Sequence, residues 1–511
     1  MQPAEDALRS ELNRDLLANR CQFVIGPEYV GRFDNWVTFA IDESLKVTAH
    51  PHLAHCSANR DGRSLTLLGF IFDPTRPEAD DLEIVRDLAA RAQTADDIPE
   101  LTAGLGGRWV LVFRDGQGAV LFHDALGLRQ VVYTDGSNAE DLWCASQPGL
   151  LVDTLGLKVG EEARGFIDSY AFRQNDESWW PGESTPYTGI KRLLPNHSLC
   201  LTAGSTRRYW PGAEVPRLTL EEATDSIAPV LKGLMHCVAE RFDSVAASLT
   251  AGWDSRLALA ASRDVKDELT YMTVRQLKMP DDSPDLWVPA RLASSLGFEH
   301  HIVRSSPLTD PGFLFQYKLN APLAHDAWAP DAQSILEYYG LSNIGVTGSG
   351  GEIGRCFYRR PGLDRKTVTG KRLSSITRMG QHPFSVRHFE SWIAGAECPD
   401  DIHILDLFYW EQRAGSWMAM AQLEYGMVWK EIFTPYNCRQ VLSAMLGVEE
   451  KYRRPPDYKL FDELIRLLWP EVLGEPINPH TESAPSRRRG ARKVVRNLVR
   501  RARKILSTKS F

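Results

Sequence analysis

Between Cys21 and Asp135 apolar and polar positions alternate in short runs: CQFVIG, WVTFAID, LTLLGFIFD, RWVLVFRD, AVLFHD and QVVYTD. The runs are rich in β-branched and aromatic residues and are broken by turn signals such as DG and GQG. Alternation with period two and turns of this kind predict a mostly antiparallel sheet. One run, LEIVRDLAARAQ, has helical spacing instead. Residues 1–150 therefore read as a layered α+β domain. Residues 151–215 are punctuated by Pro and Gly, as in GESTPYTGIKRLLPNHSLCL, and predict a connector.

From Leu218 the period changes. A helical run, LEEATDSIAPVLKGLMHCVAERF, leads into the apolar strand SVAASL. The helix LALAASRD, strand ELTYMTVR, helix LWVPARLASSLGF, strand HHIVR and strand NIGVTG follow in turn. Apolar strands alternating with helices predict a doubly wound parallel α/β sheet. Ile404 to Trp469 reads as several helices, so the second domain runs over about 216–480. Behind the break INPHTESAPS, residues 481–511 form a basic tail with a helix-like apolar stripe (Val494, Val495, Leu498, Val499). There are no internal repeats.

Charge separates the tail from the body. The chain of 511 residues carries −7, yet from Arg487 onward it has eleven Lys/Arg and no Asp/Glu, so residues 1–486 carry −18. An acidic body argues against a nucleic-acid partner. The basic tail suits an anionic membrane surface, an acidic partner or the acidic body itself, and equally a solvated extension. No stretch approaches the roughly 18 apolar residues of a membrane span, and the charged N-terminus has no signal-peptide pattern. Eight cysteines stand singly with no CxxC pair, which predicts free thiols and a cytoplasmic protein.

The chemistry is concentrated in Ser248-Leu249-Thr250-Ala251-Gly252-Trp253-Asp254-Ser255, at the end of strand SVAASL. Ligands of parallel sheets bind at the carboxyl ends of strands. Small residues there let backbone N–H groups approach an anion, and the following helix adds roughly half a positive charge. Thr250 and Ser255 add hydroxyl donors. Asp254 has the wrong sign for phosphate and suits a metal ion that bridges to it. The same residues also satisfy the simpler description of a tight turn and helix cap.

LTAGWDS resembles the pyrophosphatase loop of the asparagine-synthetase family, Ser-Gly-Gly-x-Asp-Ser, with Thr250 and Ala251 replacing its first two residues. Four further stretches resemble the family in the same order. They are the connector TPYTGIKRLLPNHSLCL with RRYW, the strand LTYMTVR, the segment PARLASSLGFEHHIV and the loop NIGVTGSGGEIGR. GRWVLVFRD with AVLFHDALGLRQVVY resembles the end of the family's N-terminal domain, so the likeness spans residues 21–360. It implies a glutamine-amidotransferase-like (Ntn-type) layered domain before an ATP-pyrophosphatase domain with a helical extension. ATP would be held by Leu249, Thr250, Ala251, Gly252, Asp254, Ser255, Val274, Thr347, Gly348 and Gly350. Mg2+ would be held by Asp254 and Glu352, although the acid that usually follows is Ile353. The implied activity is AMP-forming amide ligation: adenylation of a carboxylate, then transfer to ammonia or an amine.

The family's glutaminase centre is missing from the sequence. Its nucleophile is a cysteine directly after the initiator Met, where this chain has Gln2 and Pro3; the nearest thiol is Cys21. The substrate-reading stretch N-G-E-I-Y-N appears as Leu68-Gly69-Phe70-Ile71-Phe72-Asp73, and the Asp of G-D-F is Arg108. The resemblance also implies a catalytic lysine, for which Lys459 is the choice, beside Arg453 and Arg454. Glu431 and Tyr436 are candidates for an acceptor pocket, or for core. His300 and His301 alternate across a strand and do not suit one metal. Small carboxylate and amine substrates are the expected partners, and a homodimer stays open. The alternative is a catalytically silent relative that binds nucleotide or a partner.

Overall fold

The computed structural model describes residues 17–137, 141–173, 179–212, 215–321, 325–396 and 402–479. The basic tail lies outside the described residues. Alternating strands build two six-stranded antiparallel sheets. One runs β10 (Ile190–Arg192), β8 (Val132–Thr134), β9 (Cys144–Ala145), β1 (Phe23–Gly26), β3 (Lys46–Ala49), β2 (Val37–Ala40). The other runs β12 (Ser205–Arg208), β11 (His197–Cys200), β7 (Gly118–His123), β6 (Gly106–Asp115), β5 (Arg63–Phe72), β4 (His55–Arg60). Their inner faces meet through Phe23, Ile25, Val47, Leu68, Val110, Val112 and Leu121. Helix α1 (Asp81–Arg91) covers the outer face of the second sheet, where Leu67, Trp109 and Leu111 pack against Ile84, Val85 and Leu88. Helix α2 (Pro148–Leu155) covers the first, against Val24, Val132 and Trp143. Layers of helix, sheet, sheet and helix result.

The connector differs from expectation. Strands β10, β11 and β12, all within 151–215, complete the edges of these sheets, so the first unit extends to about residue 208. Backbone groups leaving one sheet need partners, and an unfilled sheet edge supplies them. Trp179 and Trp180 pack into an apolar cluster with Phe166, Phe384 and Phe389.

The third sheet is parallel, ordered β15 (His300–Arg304), β14 (Leu269–Arg275), β13 (Val245–Ser248), β16 (Ile344–Val346), β17 (Ile432–Phe433). Helices α3 (Leu220–Arg241), α4 (Trp253–Ala261), α8 (Arg439–Gly447) and α9 (Lys459–Leu468) bury their apolar sides on one face, and α6 (Pro311–Asn320) and α7 (Ala329–Tyr339) on the other. The chain builds β13, β14 and β15 outward in one direction and then returns to place β16 on the other side of β13. The gap between the ends of β13 and β16 is thus a topological switch point, where open parallel sheets form a crevice. Among the described residues, no helix is long and apolar enough to cross a membrane.

The two units join through apolar and charged contacts. Phe70 and Phe72 pack against Phe242 and Phe433. Burying each phenyl ring contributes on the order of 2–3 kcal/mol. Gly233 of α3 lets the helix approach the first unit, since a Cβ there would lie 2.2 Å from the Pro74 carbonyl oxygen.

Candidate functional site

Two loops meet at the switch point. The first leaves β13 through buried Leu249, whose N–H donates to the Met272 carbonyl (2.8 Å) and whose carbonyl accepts from Thr273 Oγ1 (2.7 Å). Thr250 and Ser255 lock the turn, with hydroxyls 2.9 Å apart. Its backbone donors are taken up internally. Thr250 N–H donates to Ser255 Oγ (3.1 Å) and Gly252 N–H to Thr250 Oγ1 (3.2 Å). Ala251 N–H donates to the carboxylate of Asp285 (2.9 Å), in the first turn of α5 (Pro284–Leu296). A side-chain anion of the chain itself thus sits on an amide suited to a ligand's anion.

The second loop leaves β16 at Thr347, whose N–H donates to the Phe433 carbonyl (2.9 Å). Thr347 Oγ1 is sealed from solvent without a hydrogen-bond partner. Glycine is required where the loops touch. A Cβ on Gly348 would lie 2.8 Å from Ser255 N, and one on Gly351 would lie 2.4 Å from Asp254 Oδ1. Gly350 has φ of +109°, a conformation that glycine adopts without penalty. Its N–H donates to Glu352 Oε2 (3.0 Å). Val274, near the end of β14, is half-buried and packs toward the cluster around Met272 and Val303.

Arg355 dominates the crevice. Its Nε donates to Asp254 Oδ1 (2.9 Å) and its Nη2 donates to Oδ2, a two-point clasp on the carboxylate. The guanidinium lies over Tyr458 (5.5 Å) and Phe461 (5.9 Å), and Tyr458 reaches Trp253 (5.7 Å). Tyr436 donates its hydroxyl to the Asp254 carbonyl (2.8 Å). Burial, and then the charge of Glu352, push the Asp254 carboxyl up, with Arg355 pulling the other way. The side chains of Asp254 and Arg355 are 17% and 15% exposed.

The donor set does not fit Mg2+. That ion needs oxygens at about 2.1 Å in near-octahedral array. Both oxygens of Asp254 instead receive guanidinium N–H groups, and one oxygen of Glu352 receives Gly350 N–H. Among the described residues no group of three or more His, Cys, Asp or Glu could hold a metal. The expected pair is brought together, but with a cation of the chain's own beside it.

Lys459, the first residue of α9, is exposed beside Tyr458. Arg453 is a buried structural partner of Asp406 (3.0 Å), and Arg454 pairs with Glu450 on the surface. His300 bonds Thr273 Oγ1 (2.9 Å) while His301 bonds Glu299 (2.8 Å), so the pair shares no ligand. Cavities of about 450 and 690 Å3 lie along the connector and share no residue with the crevice.

Glu431 is an interdomain partner. It accepts from Arg129 Nη2 (2.6 Å) and Arg108 Nη1 (3.3 Å), all three side chains being buried. Arg129 also donates to the Cys21 carbonyl (3.1 Å). Arg108 is therefore a bolt between units. Two residues that matter at the crevice escaped the sequence reading. Asp285 looks like an ordinary first-turn acid. Arg355 stands three residues after Glu352 in the quoted GGEIGR, a spacing that could have flagged it as a charge on the same turn.

No protein-family model and no curated protein matches this chain. Among solved structures it overlaps the glutamine-dependent NAD+ synthetase from Acinetobacter baumannii in complex with ADP, at 12% identity and a TM-score of 0.21, over 35% of this chain and 34% of that one. It overlaps the glutamine phosphoribosylpyrophosphate amidotransferase from B. subtilis, complexed with ADP and GMP, at 12% identity and a TM-score of 0.21, over 66% and 65%. A structure described as the allosteric regulatory enzyme of purine biosynthesis overlaps at 10% identity and a TM-score of 0.24, over 72% and 75%. The chain spans about a third of the synthetase's length. Overlaps this slight say nothing about what the crevice binds.

Proposed function

We propose that the protein is an ATP-using, AMP-forming amide ligase of the asparagine-synthetase type without glutaminase activity, acting in the crevice between β13 and β16. The observation that carries the reading is the convergence of the loops Thr250–Ser255 and Thr347–Glu352 at the switch point, with the N-terminus of α4 facing it. Thr250 and Ser255 hydroxyls and the helix N-terminus would bind the leaving pyrophosphate, and Arg355 would offset its charge. A substrate carboxylate attacks the α-phosphorus, giving acyl-adenylate and pyrophosphate; an amine then displaces AMP. Lys459, at the mouth, would steer the anionic reactants. With Arg108 tied to Glu431 and Phe70 packed between the units, the amine is free ammonia or an amine-bearing substrate.

The second reading, a silent nucleotide- or partner-binding relative, is favoured by the occupied loop amides and the Asp254–Arg355 clasp. ATP–pyrophosphate exchange across aspartate and a broad panel of carboxylates separates the two. Exchange that depends on one acid and is lost, by at least about a hundredfold, in Asp254→Ala is the expected result. ATP binding without exchange under any acid would favour the silent reading, and absence of ATP binding would sink the ligase.

A further inference from the structure

The crevice holds two carboxylates, Asp254 and Glu352: Glu352 Oε2 accepts from Gly350 N–H (3.0 Å), and a Cβ on the intervening Gly351 would lie 2.4 Å from Asp254 Oδ1. Such a pair needs a cation. We infer that Arg355 is the resident cation of this crevice and takes the position of a divalent ion. The inference rests on reading the crevice as the nucleotide site, and it states how that site is neutralised.

Three observations support it. First, the clasp puts a guanidinium N–H on each Asp254 oxygen, so a metal bound there would have to share both oxygens with a cation of the chain. Second, the guanidinium is built in. It is 15% exposed, stacked over Tyr458 and Phe461, and anchored on the turn Gly351–Arg355 that also carries Glu352. Displacing it would uncover a buried pair and forfeit both ring contacts. Third, the remaining charges leave a divalent ion poorly placed. Asp285 is committed to Ala251 N–H, Glu352 keeps one oxygen on Gly350 N–H, and a metal here would lie against a fixed positive charge. An arginine cannot be neutralised at ordinary pH, so the replacement is permanent.

The test is metal binding by the full-length protein, with Mn2+ alone as the probe and electron paramagnetic resonance as the readout. The native protein is expected to hold no stoichiometric Mn2+ at micromolar concentrations. Arg355→Met, which keeps the stem against Tyr458 and Phe461, is expected to gain one site, tighter by at least about tenfold. Adding Asp254→Ala to that variant should abolish it. Arg355→Gln serves as a second variant if the first does not fold. A stoichiometric Mn2+ in the native protein that disappears in Asp254→Ala would overturn the inference. So would folded Arg355 variants that gain no site, because the acidic pair would then be no metal position at all. None of these arms uses nucleotide. Failure to bind ATP would remove the ligase reading while the metal titration still decides the role of Arg355.

Discussion

Cys21 enters the sandwich 4% exposed, its Sγ facing the carbonyls of His52 and Lys430, with Glu431 close by. Burial, and then the Glu431 charge, push its thiol up to about 12. At pH 8 only about one such thiol in ten thousand is ionised, and the thiolate is the nucleophile. Iodoacetamide should therefore leave Cys21 unmodified in the native protein and label it fully after denaturation, as read by peptide mass spectrometry. Native labelling at the rate of a free thiol would show an accessible site. The sequence does not show that Cys21 would be buried with Glu431, more than 400 residues away, beside it. Arg355 makes the same point. Its identity is plain in GGEIGR, but its partner Asp254 is known only once two loops 101 residues apart are brought together.

At the scale of elements, periodicity carried most of the parallel sheet. Strands SVAASL, ELTYMTVR, HHIVR and NIGVTG stand where the pattern places them; the central ones, SVAASL and NIGVTG, are apolar because a strand buried on both faces must be. The two-residue strand β17 escaped, since a run as short as Ile432–Phe433 has no period. Helix α3 starts at a capping box in which Thr219 and Glu222 each bond the other's backbone N–H (3.2 and 2.8 Å). Thr219→Ala is expected to cost about 1 kcal/mol, seen as a lower midpoint in denaturant unfolding with an unchanged slope. An unaltered midpoint would mean that packing alone sets this helix start. From Tyr409 to Met418 the chain winds as a π-helix, which a 3.6-residue pattern does not anticipate.

For the whole molecule, one buried and two half-buried histidines are expected to make stability fall in acid. Burial lowers His123, His300 and His388 to about 4. Each is neutral in the folded chain and takes up its proton more readily when unfolded. Between about pH 6.5 and 4 the unfolded state therefore binds more protons, so stability is present above the unfolded value and is lost as pH falls toward 4. Fully buried His123, with Nε2 on the Leu194 carbonyl (3.0 Å), is worth up to about 3 kcal/mol of this. Denaturant midpoints measured from pH 7 to pH 4 should fall across that window, and His123→Gln should flatten part of the fall. An equally steep profile in the variant would move the cause to the carboxylates.

The sequence alone determined most of the longer strands and helices, that a layered antiparallel unit precedes a parallel one, and which small residues end β13. Those are local properties, set by side-chain period, turn chemistry and backbone freedom. Only the tertiary structure decided that the connector strands complete the first unit's sheets and that Phe70, Phe72, Arg108 and Glu431 join the two units. It also decided that Asp285 and Arg355 fill the anion and cation positions of the crevice. Unpaired sheet edges, buried charges and exposed phenyl rings each require a partner, and the partner's place in the chain follows from topology rather than from any local pattern.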